Sequence, residues 1–362
     1  MSDANLDALL ESLTRAQLKG FEYNGFVANH APMAAEVLAT LGLSYADIAK
    51  WTETYLTWVD EPEPGQERIV DSPASLAAAL GDIERSTDWV AFFDEELKRA
   101  SWRDVLLSWW PRLLPGVSAA GTHGFLRVAH TVRTITTLGE VNATLLHEIA
   151  HGLGYWAARY QELPGAYAGA RANRDLDAAL AGLPWLPATA KSPREGIPGR
   201  FELLSATPDV APGFAGLVQD VLPARPWSAG IDRLTAIGAH AFIAYQKTPI
   251  PFVHLVTAPS ALRILDGVLP ADLLDATAWH LWQFFAAIFA GFGALTPAKF
   301  TDDVAAPTAT ALWTGAVEHG DEHVLKFTDA CLTEYARSGD DVFRRAASVA
   351  PSRFGTLKAK PL

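Results

Sequence analysis

The sequence predicts an all-α fold, because apolar residues recur at steps of three and four along most of the 362 residues. Ala, Leu and Glu, which favour helices, fill these periodic segments. Alternating runs rich in Val, Ile and Thr, which are typical of strands, are scarce. Because 49% of the residues are apolar, the chain can also bury a sizeable core. These observations indicate a large globular helical protein.

Eight periodic segments are the principal predicted helices. In the first third of the chain they read NLDALLESLTRAQL, HAPMAAEVLATLGL, SYADIAKWTETYLTW and TDWVAFFDEELKRASWRDVLLSWW. Further along they read GEVNATLLHEIAHGLGYWAARYQEL, DRLTAIGAHAFIAYQ, TAWHLWQFFAAIFAGFG and HVLKFTDACLTEYA. Helix start and stop signals support these boundaries. They are the serines Ser44, Ser72 and Ser101 and the glycines Gly42, Gly81 and Gly139.

Two stretches rich in Pro and Gly interrupt the helical pattern. They read DEPEPGQERIVDSP at 60–73 and GLPWLPATAKSPREGIPGRF at 182–201. We expect a single helical domain over residues 1–362, and segment 182–200 would be the boundary if the helices form two packed lobes. The sequence shows no short-period repeat and no low-complexity tract.

Composition and charge limit the kinds of partner and the cellular compartment that we expect. The net charge of -12, without a basic stripe, makes nucleic acid and anionic membranes unexpected partners. The single cysteine, Cys331, excludes an internal disulfide and a cysteine-rich metal cluster, and it fits a reducing compartment. The first residues, MSDANLDALLESL, are acidic and amphipathic, unlike a secretory signal, and no apolar run approaches about eighteen residues. We therefore expect a cytoplasmic protein whose partners are small molecules.

The stretch LLHEIAHG at 145–152 resembles the helix motif of metal-dependent proteases. Residues four apart share a helix face, so His147 and His151 could ligate one zinc ion with Glu148 as the base. A zinc hydrolase needs a third protein ligand, and the position of a third histidine is occupied by Ala157. The alternative interpretation is a pair of ordinary histidines on a half-buried helix.

Histidines near the beginnings of other helical segments form a second candidate set. They are His30, His123, His130, His254, His319 and His323. Steps of four and three predict that His319, His323 and Lys326 lie on one helical stripe. The same reasoning places His123, Arg127 and His130 on one helix face. Either face would be a candidate site.

Four segments in fixed order carry a resemblance to a known family. They are NHAPMA, LLPGVSAAGTHGFLRVAHTVR, FVHLVTAPSALRIL and GDEHVLKFT, and they span residues from about 20 to 340. On these segments the chain resembles the questin oxidase-like proteins, known in bacteria as a domain of unknown function. The resemblance implies an oxidoreductase, since fungal relatives open the rings of anthraquinones and related aromatic polyketides. The family has been described both as NADPH-linked Baeyer-Villiger-type oxidases and as non-haem iron oxygenases.

What the resemblance implies for the site is a set of four histidines and a lysine. These are His30, His123, His254, His323 and Lys326. In this family the segment that corresponds to LLHEIAHGLGYW requires neither histidine, which favours the ordinary interpretation of that motif. His130 and His319 are second choices for the site, and Asn29 and Asp321 are expected to orient the imidazoles.

The chemistry of this residue set favours ferrous iron, because imidazole suits iron and a helical scaffold can build an oxygen-activating site. Four neutral imidazoles leave the dication without a negative ligand. An unprotonated, buried Lys326 could add carbon dioxide and supply a carbamate oxygen, whereas a protonated lysine has no lone pair. The alternative is that Lys326 pairs with Glu322 or Asp329 at the solvent surface.

Each histidine taken alone also has a structural explanation. His30 precedes Ala-Pro and would cap a helix, His123 could lie in a turn, and His254 follows two prolines. His240 and His280 are interpreted as ordinary core or rim histidines. A shared site is favoured only because His30, His123, His254 and His323 occur together within four ordered segments.

Three functions therefore follow from the sequence. The first is an iron-dependent oxygenase that acts with dioxygen on an aromatic polyketide or quinone-like molecule. The second is a zinc hydrolase built on His147, Glu148 and His151, and the third is a helical protein that binds an aromatic ligand without converting it. The glycine fingerprint of a dinucleotide site is missing from the sequence, so NADPH would act only as an external reductant.

Overall fold

The computed structural model describes residues 2–167, 175–192, 194–221, 226–295, 299 and 304–357. Within these residues the chain forms seventeen α-helices and one two-stranded antiparallel sheet, so the predicted all-α fold is confirmed. The two strands are β1 (Glu22–Tyr23) and β2 (Val27–Ala28), and they form a small hairpin next to the beginning of the second helix.

The helices follow the predicted periodic segments, with additional short helices between them. The first eight are α1 (Asp3–Gln17), α2 (Ala31–Thr40), α3 (Tyr45–Leu56), α4 (Pro73–Ala79), α5 (Ser86–Arg99), α6 (Trp102–Leu113), α7 (His123–Leu138) and α8 (Ala143–Ala158). The others are α9 (Leu176–Ala181), α10 (Gly196–Ala206), α11 (Ala211–Gln219), α12 (Trp227–Ala244), α13 (Pro249–Leu262), α14 (Ala271–Phe292), α15 (Ala309–His319), α16 (Glu322–Ser338) and α17 (Asp341–Val349).

The predicted helix signals are confirmed. The hydroxyl groups of Ser44, Ser72 and Ser101 each accept a hydrogen bond from the backbone N–H three residues later, at the beginnings of α3, α4 and α6. The three predicted stop glycines all have left-handed φ angles of 71° to 81° close to helix ends.

Helix α14 lies in the hydrophobic core. Its aromatic side chains Trp279, Trp282, Phe284 and Phe285 are fully buried. The helical segment Ala271–Leu295 is long and apolar enough to cross a membrane, but 83% of its apolar 18-residue stretch is buried inside the protein. A helix that is apolar on all sides is either a core helix or a membrane span. Its burial favours the core helix.

The Pro/Gly-rich segment 182–200 packs against α14. The backbone N–H of Leu186 donates to the carbonyl of Ala290, and the guanidinium of Arg200 donates to the carbonyl of Gly291. Residues 196–201 belong to α10, so the last part of the predicted interruption is helical. Buried apolar residues from both sides of the segment join one continuous cluster. The division into two lobes stays a prediction.

A buried network of charged groups joins α2 to α7 and α16. Glu36 accepts hydrogen bonds from Arg133 Nε at 2.7 Å and from His130 Nδ1 at 3.0 Å. Arg133 Nη1 also donates to Asp329 Oδ2 at 2.8 Å. Burial alone would raise the pKa of Glu36, but the charge of Arg133 and the hydrogen bonds from His130 and Arg133 lower this pKa to about 2.

We expect Glu36→Gln to remove part of the acid sensitivity of the fold. A carboxylate with a lowered pKa stabilises the native state above its unfolded pKa, and this stabilisation is lost as the pH falls through the folded pKa. Between pH 5 and 2 the wild type should therefore lose about 2–3 kcal/mol that the variant does not lose. Urea unfolding at several pH values measures this difference. The exposed Glu63→Gln serves as control, and a Glu36→Gln profile parallel to the wild type would contradict the prediction.

Candidate functional site

Four of the predicted histidines lie side by side in the core. The ring centroids of His30 and His123 are 4.6 Å apart, those of His30 and His323 are 4.6 Å apart, and those of His123 and His254 are 4.8 Å apart. All four side chains are buried. The Nε2 atoms of His30 and His123 are separated by 2.8 Å. The fold thus brings together rings from four distant parts of the chain.

Helix beginnings position three of the four rings. His30 immediately precedes α2, His123 is the first residue of α7, and His323 is the second residue of α16, while His254 lies in the middle of α13. The four rings are thus carried by α7, α13 and α16 and by the residue directly before α2.

Burial favours the neutral form of the His123 and His254 imidazoles. Burial lowers the pKa of both rings well below the usual value, and the nearby charge of Lys326 lowers it further. Neither ring nitrogen of His254 has a hydrogen-bond partner among the described residues. An unsatisfied buried polar group costs about 1–3 kcal/mol, which a bound cation would offset. The His254 ring therefore fits the role of a metal ligand.

Glu322 adds a negative charge to the cluster. Its Oε1 atom lies 3.4 Å from His323 Nδ1 and 4.0 Å from His30 Nδ1, and it accepts a hydrogen bond from the hydroxyl of Tyr23 at 3.3 Å. Single ligand atoms of His30, Glu322 and His323 lie within 4.8 Å of one another. From the sequence, Glu322 is expected only as a partner of Lys326. The signal that could have revealed it is the position of this acid directly before His323.

Tyr55 is a second contributor that sequence reasoning missed. Its hydroxyl lies 3.2 Å from His30 Nδ1 and accepts a hydrogen bond from the backbone N–H of His30 at 3.1 Å. Burial, followed by the charge of Glu322, raises the pKa of this hydroxyl well above its usual value, so it stays protonated. With Nδ1 of His30 directed at this hydroxyl, Nε2 is left facing His123. Nothing in the sequence around Tyr55 distinguishes it from a core tyrosine.

The two residues predicted to orient the imidazoles behave differently. The amide of Asn29 donates to the carbonyl of Gly20 at 3.1 Å and accepts from the backbone N–H of Ala31 at 3.0 Å, so it holds the backbone rather than a ring. Asp321 Oδ1 accepts the backbone N–H of His323 at 2.9 Å and lies 3.5 Å from Nδ1 of the same residue. Asp321 therefore fixes the start of α16 and approaches the ring.

The second-choice histidines have other partners. His130 belongs to the network with Glu36, and His319 Nε2 donates to the carbonyl of Phe354 at 3.2 Å. The prediction that His319 shares one helical stripe with His323 and Lys326 is wrong, because α15 ends at His319 and α16 begins at Glu322. Gly320, with a φ of 74°, separates the two helices.

Lys326 lies one turn after His323 on α16 and is only 5% exposed. The alternative that Lys326 lies at the solvent surface is wrong, because its side chain is buried. Its charge affects the pKa of both His123 and His254, which places it near the cluster. Lys326 also lines a polar cavity of about 390 Å³ together with Thr257 and Ser260.

An apolar cavity of about 580 Å³ opens onto the four histidines. Its apolar walls include Phe26, Ile197, Pro251, Phe292 and Phe354. The ring of Phe354 stacks on His323 with 5.2 Å between the centroids and an angle of 4°. A cavity of this size, with mainly apolar walls and several polar lining groups, suits a small aromatic ligand.

The loop that leads to His123 has an unusual backbone. Ala120, Gly121 and Thr122 have φ angles of 47°, 65° and 71°, in the left-handed region that side chains disfavour. His123 Nδ1 donates a hydrogen bond back to the carbonyl of Ala120. A Cβ atom at Gly121 would lie 3.1 Å from Ile197 Cδ1 and 3.7 Å from the rings of His123 and His254. Such strained segments are common at functional sites.

We expect Gly121→Ala to lower the free energy of unfolding by about 1–2 kcal/mol, because of its positive φ, and also to displace the neighbouring imidazoles. Gly139→Ala is the matched control, since Gly139 has a φ of 71° but a Cβ added there would have no atom of the described residues within 4 Å. Both variants should be destabilised in urea unfolding. Only Gly121→Ala should shift the imidazole NMR signals of the cluster, and unchanged signals would contradict this.

The motif at 147–151 is not arranged as in a hydrolase. Glu148 is fully buried, pairs with Arg127 through both carboxylate oxygens, and accepts a hydrogen bond from Gln17 at 3.0 Å. A carboxylate held in this way is poorly suited to act as a base. Arg127, which the sequence places on the histidine face of α7, is thus the partner of Glu148. The hydrolase alternative gains no support from this geometry.

Comparisons with protein families and with curated proteins give no match. The chain matches no protein-family model, and a search of curated proteins finds no similar sequence. The resemblance to the questin oxidase-like proteins therefore stays a prediction, and the function must be inferred from the residues of the site.

Proposed function

We propose that the protein is a metal-dependent oxidoreductase, an oxygenase of the questin oxidase-like type that acts on an aromatic polyketide or quinone-like molecule. The observation that supports this most directly is that four buried imidazoles, each with its ring centroid within 4.8 Å of another, line one apolar cavity. His254 in particular is buried with both ring nitrogens unbonded among the described residues. A purely structural histidine in a core is normally hydrogen-bonded.

The donor set fits ferrous iron. His30, His123, His254 and His323 would hold the ion, since imidazole is a preferred ligand of iron and related metals. Two nitrogens that share a cation at about 2.1 Å lie about 3 Å apart, close to the 2.8 Å between the Nε2 atoms of His30 and His123. When bound, ferrous iron supplies the capacity to react with dioxygen.

The chain also offers negative charge to a dication. The carboxylate of Glu322 faces Nδ1 of His323, and a carboxylate behind a ligating imidazole raises the basicity of that ligand. We further propose that the Lys326 ammonium loses a proton and that its amine nitrogen then adds carbon dioxide, forming an N–C bond and releasing a second proton. The resulting carbamate would provide an anionic oxygen at a position where a protonated lysine offers no lone pair.

The cavity residues would bind and orient the substrate. The apolar walls suit a flat aromatic body, and the four imidazoles line the same cavity. Lys247 and Arg353 also line this cavity. The Arg353 guanidinium already donates to the carbonyls of Phe242 and Ile243, so Lys247 is the better placed of the two to meet an acidic group. NADPH, if needed, would act as an external reductant.

Metal analysis combined with oxygen consumption tests the proposal. The protein, prepared without a histidine tag and supplied with ferrous iron, should hold about one iron per chain and consume dioxygen only when a hydroxyanthraquinone is present. If the carbamate forms, the mass of the peptide that contains Lys326 should increase by about 44 Da under carbon dioxide. Acidification should reverse this increase. The proposal would be overturned if the protein binds no iron. It would also be overturned if the protein binds the anthraquinone without consuming oxygen, and that result would indicate a binding protein.

A further inference from the structure

A second pair of histidines lies on α8, outside the four-histidine cluster. The Nε2 atoms of His147 and His151 are 3.2 Å apart, and their rings are 4.6 Å apart at an angle of 78°. Residues at i and i+4 on a helix can direct their rings at one point. The separation of the two nitrogens is close to that of two imidazoles that share one cation at about 2.1 Å.

Asp94 of α5 holds the ring of His147. Its Oδ1 atom lies 2.9 Å from His147 Nδ1, so this nitrogen donates to the carboxylate, and in the neutral ring Nε2 carries the lone pair. A carboxylate that receives the far N–H of a ligating histidine is a recurrent feature of protein metal sites. The orientation of His147 is therefore fixed by a neighbouring helix and not by α8 alone.

His151 is buried, and only one of its two ring nitrogens, Nε2, has a hydrogen-bond partner among the described residues. Its Nδ1 atom has no hydrogen-bond partner among the described residues, and its ring packs against Phe21 with 5.3 Å between the centroids. Its Nε2 atom faces His147. The side chains of His147 and Asp94 are 38% and 30% exposed, which leaves a path from solvent to the pair. The site is thus half open, with one buried ligand and one accessible ligand.

We propose that His147 and His151 bind a divalent transition-metal ion such as zinc, with Asp94 as the positioning residue and water in the remaining positions. Two imidazoles favour zinc, copper and nickel over calcium and magnesium, which prefer oxygen ligands. Glu148 takes no part, because Arg127 and Gln17 occupy its carboxylate. The site does not depend on the proposed oxygenase function, and it links α5 to α8.

A zinc titration of the iron-supplied protein by calorimetry tests this site. The wild type should bind one more equivalent of zinc than His147→Ala, or bind that equivalent at least tenfold more tightly. Asp94→Asn should weaken zinc binding about 10- to 100-fold, as is typical when the partner of a ligating histidine is lost. His240→Ala, which removes an exposed histidine from α12, should bind zinc as the wild type does.

Two results would overturn the proposal: equal zinc binding by the wild type and His147→Ala, or no zinc binding at this pair in the wild type. Because His147 is more than one-third exposed, its removal should leave the fold intact, which circular dichroism verifies. His254→Ala, which disrupts the four-histidine cluster, should retain the zinc equivalent of this pair. The two metal sites can thus fail independently.

Discussion

His254→Ala is expected to remove iron from the protein while the helices remain folded. The ring lies in the middle of α13, is 2% exposed, and has no hydrogen bond at either nitrogen among the described residues. Its removal therefore breaks no hydrogen bond to those residues and deletes one of the four proposed ligands. We expect iron content to fall from about one per chain to a small fraction, and anthraquinone-dependent oxygen consumption to fall at least 100-fold.

The control for this prediction is a histidine that is also buried but lies elsewhere. His280 of α14 has its Nδ1 atom 3.4 Å from Gln283 Oε1 and packs against Trp279. Burial lowers the pKa of His280 to about 4, so it too is a neutral core imidazole. His280→Ala should lose some stability but keep its iron. If His254→Ala keeps iron to the same extent, the four-histidine site is wrong.

Arg127→Met is expected to destabilise the protein by about 3–5 kcal/mol. Both side chains of the Arg127–Glu148 pair are at most 2% exposed, so the substitution leaves an uncompensated carboxylate in the core. Gln17 remains as one hydrogen-bond donor, which cannot replace a full positive charge. Urea unfolding at pH 7 measures the loss. Arg15→Met, which removes solvent-exposed ion pairs with Glu11 and Glu53, should change stability by less than about 1 kcal/mol.

A double variant separates charge burial from packing. Arg127→Met combined with Glu148→Leu removes both charges, and paired replacement of a buried ion pair by apolar residues is often nearly neutral. We therefore expect the double variant to be more stable than Arg127→Met alone. A loss below about 1 kcal/mol in Arg127→Met would show instead that the carboxylate is relieved by protonation or by solvent.

The features that sequence predicts well here are local. Helical periodicity and serine caps depend on neighbours within one or two turns, and the structure confirms them at Ser44, Ser72 and Ser101. The break between His319 and His323 is also locally encoded, by Gly320 and Asp321. The steps of four and three between His319, His323 and Lys326 match one continuous helix, although Gly320 ends α15 between the first two of them.

The features that sequence did not predict depend on tertiary packing. The pairing of Arg127 with Glu148 joins α7 to α8, and the contact of Tyr55 with His30 joins α3 to the beginning of α2. No spacing rule within one helix reveals such partners. The convergence of the four histidines is expected only through the family resemblance, since each ring alone has an adequate structural explanation.

The four rings come from distant parts of the chain: three lie in α7, α13 and α16, and His30 directly precedes α2. This separation affects the order in which the site forms during biosynthesis. Contacts between residues so distant in the chain form late, because long loops must close first. A nascent chain that has not yet released α16 from the ribosome lacks one quarter of the imidazole set. The centre would therefore be completed only after α16 has left the ribosome, and metal loading would follow the packing of this helix against the other three.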